Sequence, residues 1–356
     1  MFKSRVYVCH TYYHVYVALL KEFALPKEEQ KKATIVLSKM SSDFADLKER
    51  LESQGLFEEV VEYDEKPFWF FKELDKYKKD YHNFVKNTVN RIIFTKKFAK
   101  LQAQYVPINF KEYKDIYVFC DSDPIGYYLS ANRIRYHALE DGLNCLVYVD
   151  GARYDNRGHF KIKAFLSALN LIFIQNGYGK YCIDMEINSL EGILYPIKKH
   201  KVVPRAGLFA RLTPEEKEAI INVFVKDKEI LLGNMSDLNQ GRKNYLILTE
   251  QLCDLETRKQ IFRDLVEQYE VEANICIKPH PRDELDYAEV FPNILVLDKL
   301  VPMEVLNCLG EQFFDLAISV FTDVTGIYFA KETLRLGADF MDKYEEASIH
   351  RQNEQI

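Results

Sequence analysis

Residues 244–281 read NYLILTEQLCDLETRKQIFRDLVEQYEVEANICIKPHP, and this stretch decides the fold. NYLIL is a short apolar run of strand-forming residues, LETRKQIFRDLVEQYEV carries its apolar residues at helical spacing, and NICIK returns to an apolar run. A strand, a helix and a strand in succession form a unit whose two strands lie parallel under the crossing helix. The rhythm continues downstream in NILVLD then PMEVLNCLG, and in DLAISV then DVTGIYFAKETLRLG. It is present upstream as well: RVYVCH leads into HVYVALLKEFAL and TIVLSK into FADLKERLESQG, with EEVVEYD, DIYVFC and CLVYVDG after them.

Two such series around a helix-poor middle predict an α/β protein of two Rossmann-like domains facing a central cleft, in which ligands bind beyond the carboxyl ends of the strands. The expected boundaries are about 1–155 for an N-terminal α/β domain, 156–239 for a connecting region and 240–356 for a C-terminal α/β domain. The composition agrees, since 47% of the 356 residues are apolar and 29% charged, enough to bury two cores. A net charge of −6 gives no reason to expect a nucleic-acid partner.

The seven cysteines are scattered, without CxxC spacing, and read as reduced core thiols. MFKSRVYVCHTYYH reads as a first strand and helix rather than a secretion signal, and the longest apolar run elsewhere, AFLSALNLIFI at 164–174, is too short to span a bilayer. These features predict a cytoplasmic protein. Between EEVVEYD and DIYVFC lies an insertion at about 66–105, in which aromatics alternate with lysines (KPFWFFKELDKYKKDYHNF, then VKNTVNRIIFTKKFAK). It reads as a helical hairpin with solvated lysines or as a face that rests on a membrane surface.

Three strand ends carry candidate chemistry. In KPHPRD, His280 is clamped between Pro279 and Pro281 and flanked by Lys278 and Arg282, a cationic setting suited to an anion such as phosphate. In LEDG, Glu140 and Asp141 precede Gly142, which is either an ordinary turn or a source of a catalytic carboxylate. In DLAISVFTDVTG, Ser319, Thr322, Asp323 and Thr325 precede a helix expected to start near Gly326, an arrangement equally suited to capping and to binding an anion. No phosphate loop, GxGxxG fingerprint or zinc spacing is present, and the Asp121-x-Asp123 pair of CDSDP is a capping turn or a divalent-metal ligand pair.

LEDG (139–142), KPHP (278–281) and the serine-bearing AISVFT (317–322), in that order on two α/β halves, resemble the bacterial sialyltransferases of the GT-B type, and glycosyltransferase family 52 in particular. VPMEVL (301–306), which contains Glu304, and the opening TYYH, which contains His14, are further points of resemblance. The resemblance implies an inverting transfer of sialic acid from CMP-sialic acid to a terminal sugar of a bacterial surface glycan, capsule or lipooligosaccharide, without a metal or other cofactor. It implies Asp141 as general base and His280 as the group that assists departure of CMP. Lys278, Pro281, Arg282, Ser319, Thr322 and Glu304 are implied on the donor side, and Glu140, Gly142 and His14 on the acceptor side. The chain departs from the family pattern at Ser319-Val320, where two adjacent hydroxyl residues are common. Glu250 and Asp254, at the strand end YLILTEQLCDLE, are alternative bases. Another CMP-nonulosonic acid or a UDP-hexose as donor, or a noncatalytic nucleotide- or glycan-binding role, are the competing readings. A peripheral contact with the inner face of the bacterial membrane and a homodimer complete the expected partners.

Overall fold

The computed structural model describes residues 2–119, 121, 124–141, 159–191, 193, 197–238, 241–324 and 326–350, with the backbone alone at 237 and 350. The chain divides into two compact units, Met1–Leu212 and Thr213–Ile356. Each is built on a wholly parallel sheet, the GT-B type of architecture.

The first sheet contains β1 (Lys3–Cys9), β2 (Ala33–Ser38), β3 (Glu59–Tyr63), β4 (Tyr113–Phe119), β5 (Tyr136–Leu139), β6 (Cys182–Ile187) and β7 (His200–Val202), in the order β3-β2-β1-β4-β5-β6-β7. Helices α1 (Tyr12–Phe23) and α2 (Leu47–Gln54) follow β1 and β2, as their amphipathic patterns require. Val6, Val8, Ile116, Val118 and Ala138 form a core on one face with Ile125 and Leu129 of helix α5 (Pro124–Ala131). Tyr7, Tyr117 and His137 are registered across β1, β4 and β5 and stack at 5.1 and 4.9 Å between ring centres.

The expected end of the first domain near residue 155 lies inside this unit, because β6 and β7 extend the sheet to Val202. The strand CIDMEI was hidden by its acidic residues, which the fold neutralises. Asp184 Oδ1 pairs with His137 Nδ1 at 2.6 Å, and Glu186 pairs with Lys21 of α1 in a setting where both are largely buried.

The insertion folds as 3₁₀ turns at Phe68–Phe70 and Lys72–Leu74, a short α3 (Asp75–Lys78) and the long α4 (Phe84–Gln102), capped by the Asn83 side chain. Phe71, Leu74, Phe94 and Phe98 pack inward against Tyr127 of α5. Trp69, Phe70, Phe84 and Val85 stay outside, Trp69 at 66% exposure. Helix α6 (Phe160–Ala168) follows the LEDG region, and α7 (Arg205–Phe209) closes the unit. The expected strand CLVYV lies outside the described residues.

The second unit begins with α8 (Pro214–Phe224), whose start is set by a capping box between Thr213 and Glu216, and with α9 (Lys228–Asp237). The expected connecting region is therefore shared between the two units. The second sheet contains β8 (Lys243–Leu248), β9 (Ala273–Lys278), β10 (Leu295–Val296), β11 (Phe314–Ser319) and β12 (Ala330–Arg335), in the order β10-β9-β8-β11-β12. Helix α10 (Leu255–Tyr269) bridges β8 and β9, so the stretch 244–281 folds as its pattern predicts. Alternate residues of β8 serve opposite faces. Tyr245 and Ile247 pack with Ile261, Phe262 and Leu265 of α10, while Leu246 and Leu248 pack with Met235 of α9 and Leu306.

One expected helix is absent from its place. The segment after DLAISV does not start a helix near Gly326, where φ is +81°; it turns and returns as β12, a polar edge strand parallel to β11. The polar run KETLR, exposed along its whole length after Ala330, suits an edge position.

Candidate active site

In each sheet the strand order reverses at one point, between β1 and β4 in the first and between β8 and β11 in the second. The chain diverges there beyond the carboxyl ends of the strands, the usual place for a ligand in an open parallel sheet.

In the second unit, β9 delivers KPHPRD to that edge. The backbone N–H of His280 donates to Thr249 Oγ1 at 3.0 Å, and the N–H of Thr249 donates to the Lys278 carbonyl at 3.1 Å, so the ends of β8 and β9 are tied together. The N–H of Arg282 donates to His280 Nδ1 at 3.2 Å. A nitrogen that accepts a hydrogen bond carries no proton, so the neutral ring has its proton on Nε2. Nε2 has no partner among the described residues, and burial together with Arg282 holds the imidazole below its ordinary range. His280 is thus a neutral, oriented donor.

The loop is anchored by a residue that the sequence reading passed over. Asp283, fully buried, accepts from Arg258 Nη1 of α10 at 2.6 Å, from the Tyr287 hydroxyl at 2.9 Å and from the N–H of Leu285 at 3.1 Å. Its own N–H donates to the His280 carbonyl at 3.0 Å. No motif spacing announces Asp283 or Thr249; their position beside His280 on adjacent strand ends is the only signal.

Several expected donor-side residues are turned to other work. Lys278, 4% exposed, points under the loop and donates to the carbonyls of Pro279 at 2.9 Å and Lys299 at 3.2 Å, and burial pushes its ammonium down to about 8. It braces the loop instead of facing an anion. Pro281 and Arg282 are exposed beside His280. Glu304 sits in a 3₁₀ turn (Met303–Leu309), where burial raises its carboxyl and Lys278 opposes the rise.

The end of β11 does form an anion nest, but the chain fills it. The Glu250 carboxylate accepts from the N–H groups of Val320, Phe321 and Thr322, each bond 2.9–3.0 Å long. Burial raises the Glu250 carboxyl while the three amides oppose the rise. The Ser319 hydroxyl donates to the Thr322 carbonyl at 2.9 Å, closing the same turn. Thr322 lies in that turn, and Thr325 falls outside the described residues. Asp254 caps α10, accepting from the N–H groups of Glu256 and Thr257 at 3.1 Å and from the Thr257 hydroxyl at 2.7 Å, which keeps it below the usual carboxylate range. Both alternative bases are therefore engaged in holding the backbone.

In the first unit, β5 ends at Leu139 and is followed by Glu140 and Asp141. Glu140 is buried, and its carboxylate accepts from the N–H of Asn188 at 2.6 Å, tying β5 to the end of β6. Burial raises this carboxyl, and the Asn188 bond opposes it. Asp141 is the outer residue, with 29% of its side chain exposed, and it is hydrogen-bonded through Oδ1 to His14 Nε2. His14 is 0% exposed, so it cannot reach an acceptor as the sequence reading expected. Gly142 lies outside the described residues.

Behind this pair, His10 Nε2 and the Ser38 hydroxyl meet Glu65 Oε2 at 3.0 and 2.7 Å. Asp121 is buried, accepting from the N–H of Asn176 at 2.7 Å and from the Tyr136 hydroxyl at 3.0 Å, while Asp123 lies outside the described residues. Among the described residues no group of three or more His, Cys, Asp or Glu side chains is arranged to hold a metal.

The two parallel α/β units have the GT-B type of fold, and beyond a strand end one carries a fixed imidazole and the other a carboxylate. Residues 62–324 match the model of glycosyltransferase family 52, and the chain belongs to that family. An uncharacterised protein of Haemophilus influenzae is 31% identical over 125 residues, a match that spans 34% of this chain and 39% of that relative's length. Among solved structures, a 2,6-sialyltransferase from a Photobacterium species, in complex with CMP and lactose, is similar in fold with a TM-score of 0.56. It is 11% identical, over 93% of this chain and 70% of that one. A sialyltransferase from Photobacterium damselae is similar with a TM-score of 0.51 and 13% identity, over 92% and 89% of the two chains.

Proposed function

We propose that the chain is an inverting, metal-independent sialyltransferase that moves sialic acid from CMP-sialic acid to a terminal sugar of a bacterial capsule or lipooligosaccharide. The observation that carries this reading is His280, whose filled Nδ1 leaves the proton on Nε2, a donor at the strand end of the second unit with no partner among the described residues. The leaving group of CMP-sialic acid is a phosphate. A neutral N–H donor in a fixed position stabilises the charge that develops on its oxygen without first being reorganised.

Asp141 takes the proton of the acceptor hydroxyl as the new bond to the anomeric carbon forms. The bond from that carbon to the phosphate oxygen breaks, and its electron pair leaves with CMP. A single displacement inverts the anomeric configuration. Family membership and the fold shared with a sialyltransferase solved with CMP and lactose support this reading.

The insertion supports a membrane contact. Residues 66–105 carry nine lysines and one arginine against three acidic residues, a surplus of seven positive charges in a chain of net charge −6. Trp69, Phe70, Phe84 and Val85 project from the same insertion, while no described helix is long and apolar enough to cross a membrane. Apolar side chains set among cations suit an anionic lipid surface.

The test of the reading is release of CMP from CMP-sialic acid with lactose as acceptor, in excess EDTA. Transfer with inverted configuration is expected. Release of UDP from a UDP-hexose in its place, or dependence on a divalent ion, overturns it.

A further inference from the structure

His14 occupies a position that the acceptor-side reaction explains. It is the third residue of α1, whose start is fixed by Thr11 accepting from the His14 N–H at 3.2 Å. Its ring stacks on Phe119 at the end of β4, with centroids 4.4 Å apart and planes 8° apart. The backbone N–H of His10 donates to its Nδ1 at 3.0 Å. Nδ1 therefore carries no proton, the ring is neutral, and the proton sits on Nε2, which faces Asp141 Oδ1. The start of α1 favours this state, since a helix N-terminus disfavours a cation.

We infer that His14 is a positioning residue for Asp141: its Nε2–H holds Oδ1, fixes the orientation of the carboxylate and favours the ionised form that receives the acceptor's proton. The inference rests on Asp141 being the base of the proposed transfer. The order is the reverse of a serine-hydrolase triad, with the carboxylate outside and the imidazole inside. His14 does not relay the proton onward, because Nε2 already bears one and the lone pair of Nδ1 is held by the His10 N–H. A hydrogen bond donated to a carboxylate favours its charged form, which is the form a base needs.

Among the described residues, the groups around the pair are these. From the β1–α1 turn comes His10, itself bonded to Glu65 beyond β3. From β5 comes Glu140, whose field repels the Asp141 charge and which Arg205 partly offsets. From β4 comes the uncharged ring of Phe119.

Two amide replacements separate the two ring nitrogens. His14→Gln keeps an N–H donor at about the height of Nε2, and His14→Asn keeps an acceptor for the His10 N–H but has no donor that reaches Asp141. The full chain is assayed for CMP release from pH 5 to 9, with melting curves recorded for each variant. In His14→Asn the acidic limb of kcat/KM moves to higher pH, so that the loss at pH 6 exceeds the loss at pH 8 by about tenfold or more, a general-base effect of ordinary size. KM for lactose stays near wild type, and His14→Gln keeps the wild-type limb.

Equal acidic limbs in the two variants, or a rise in KM for lactose with an unmoved limb, overturn the inference. If His14→Asn does not fold, nitrogen NMR of the wild type decides. A ring held as the Nε2–H tautomer from pH 6 to 8 supports the inference, and a ring that titrates there or carries its proton on Nδ1 contradicts it. Asp141→Asn distinguishes the two levels: an active Asp141→Asn enzyme removes the base reading itself, whereas an inactive one with unchanged His14 variants removes only the role of His14.

Discussion

The backbone N–H of Arg282 donates to His280 Nδ1 across 3.2 Å, so the main chain of the HP loop itself dictates which ring nitrogen carries the proton. A histidine fixed in this way acts as a neutral donor. His280→Ala removes that donor and lowers kcat by about 10²–10³, as loss of one preorganised donor does, with the melting temperature near wild type. Because the group is neutral, kcat/KM of the wild type shows no fall between about pH 6.5 and 8 of the kind an obligatory imidazolium produces. A falling limb below the ordinary imidazole range would show that a protonated His280 is required.

Arg258 and Asp283 form the buried ion pair behind the loop, 2.6 Å apart. Asp283→Ala leaves the guanidinium buried without its partner and costs about 3–5 kcal/mol of stability. Urea unfolding measures it, and a cost under about 1 kcal/mol would mean the pair is no anchor.

Lys278 carries a pH signature. Its ammonium is pushed from the ordinary value of 10.5 down to about 8 by burial, so between these values the unfolded chain binds a proton that the folded chain has released. Stability contributed at this position therefore rises with pH across that window. Below about pH 8 the charged form is buried at its full cost, and the cost is relieved as pH approaches 10.5. The difference in melting temperature between wild type and Lys278→Met moves in favour of the wild type from pH 7 to pH 10. A constant difference contradicts this.

Glu250 and Asp254 separate from Asp141 by what they hold. Glu250→Ala strips three backbone amides of their acceptor and destabilises the protein by about 1–3 kcal/mol or more. Asp254→Asn preserves a cap of comparable quality and leaves both stability and turnover near wild type. If Asp254→Asn alone abolishes transfer, the base is Asp254.

The insertion is tested by sedimentation with vesicles. Binding to vesicles rich in phosphatidylglycerol, absent with pure phosphatidylcholine and weakened by salt and by Trp69→Ser with Phe70→Ser, is the expected result. Equal binding to both lipids removes the electrostatic part of the proposal, and binding to neither removes the contact.

The parts of the fold that the sequence disclosed are those where one pattern served one purpose. NYLIL, LETRKQIFRDLVEQYEV and NICIK are legible because the strands bury apolar residues on both faces and the helix buries one apolar stripe against them. β6 is not, because Asp184 and Glu186 break its apolar run and are matched by His137, Lys21 and Lys201, which the run itself does not announce. The stretch after DLAISV reads as a helix because edge strands carry polar residues too, and only the positive φ of Gly326 and the pairing with β11 separate the two.

The candidate site divides in the same way. His280 and Asp141 stand out as polar residues at strand ends. What fixes them does not, since it consists of main-chain N–H groups and of His14, 127 residues away from its carboxylate. Lys278 shows the limit of reading charge by proximity: it neighbours the imidazole in sequence yet turns beneath the loop.

The most direct measurement is CMP release and sialylated product from CMP-sialic acid and lactose, in EDTA, by the wild type, Asp141→Asn and His280→Ala side by side. The account predicts transfer by the wild type with inversion at the anomeric carbon, and a loss of about 10²-fold or more in each variant with the fold retained. No transfer by the wild type, or variants within about tenfold of it, would contradict the account.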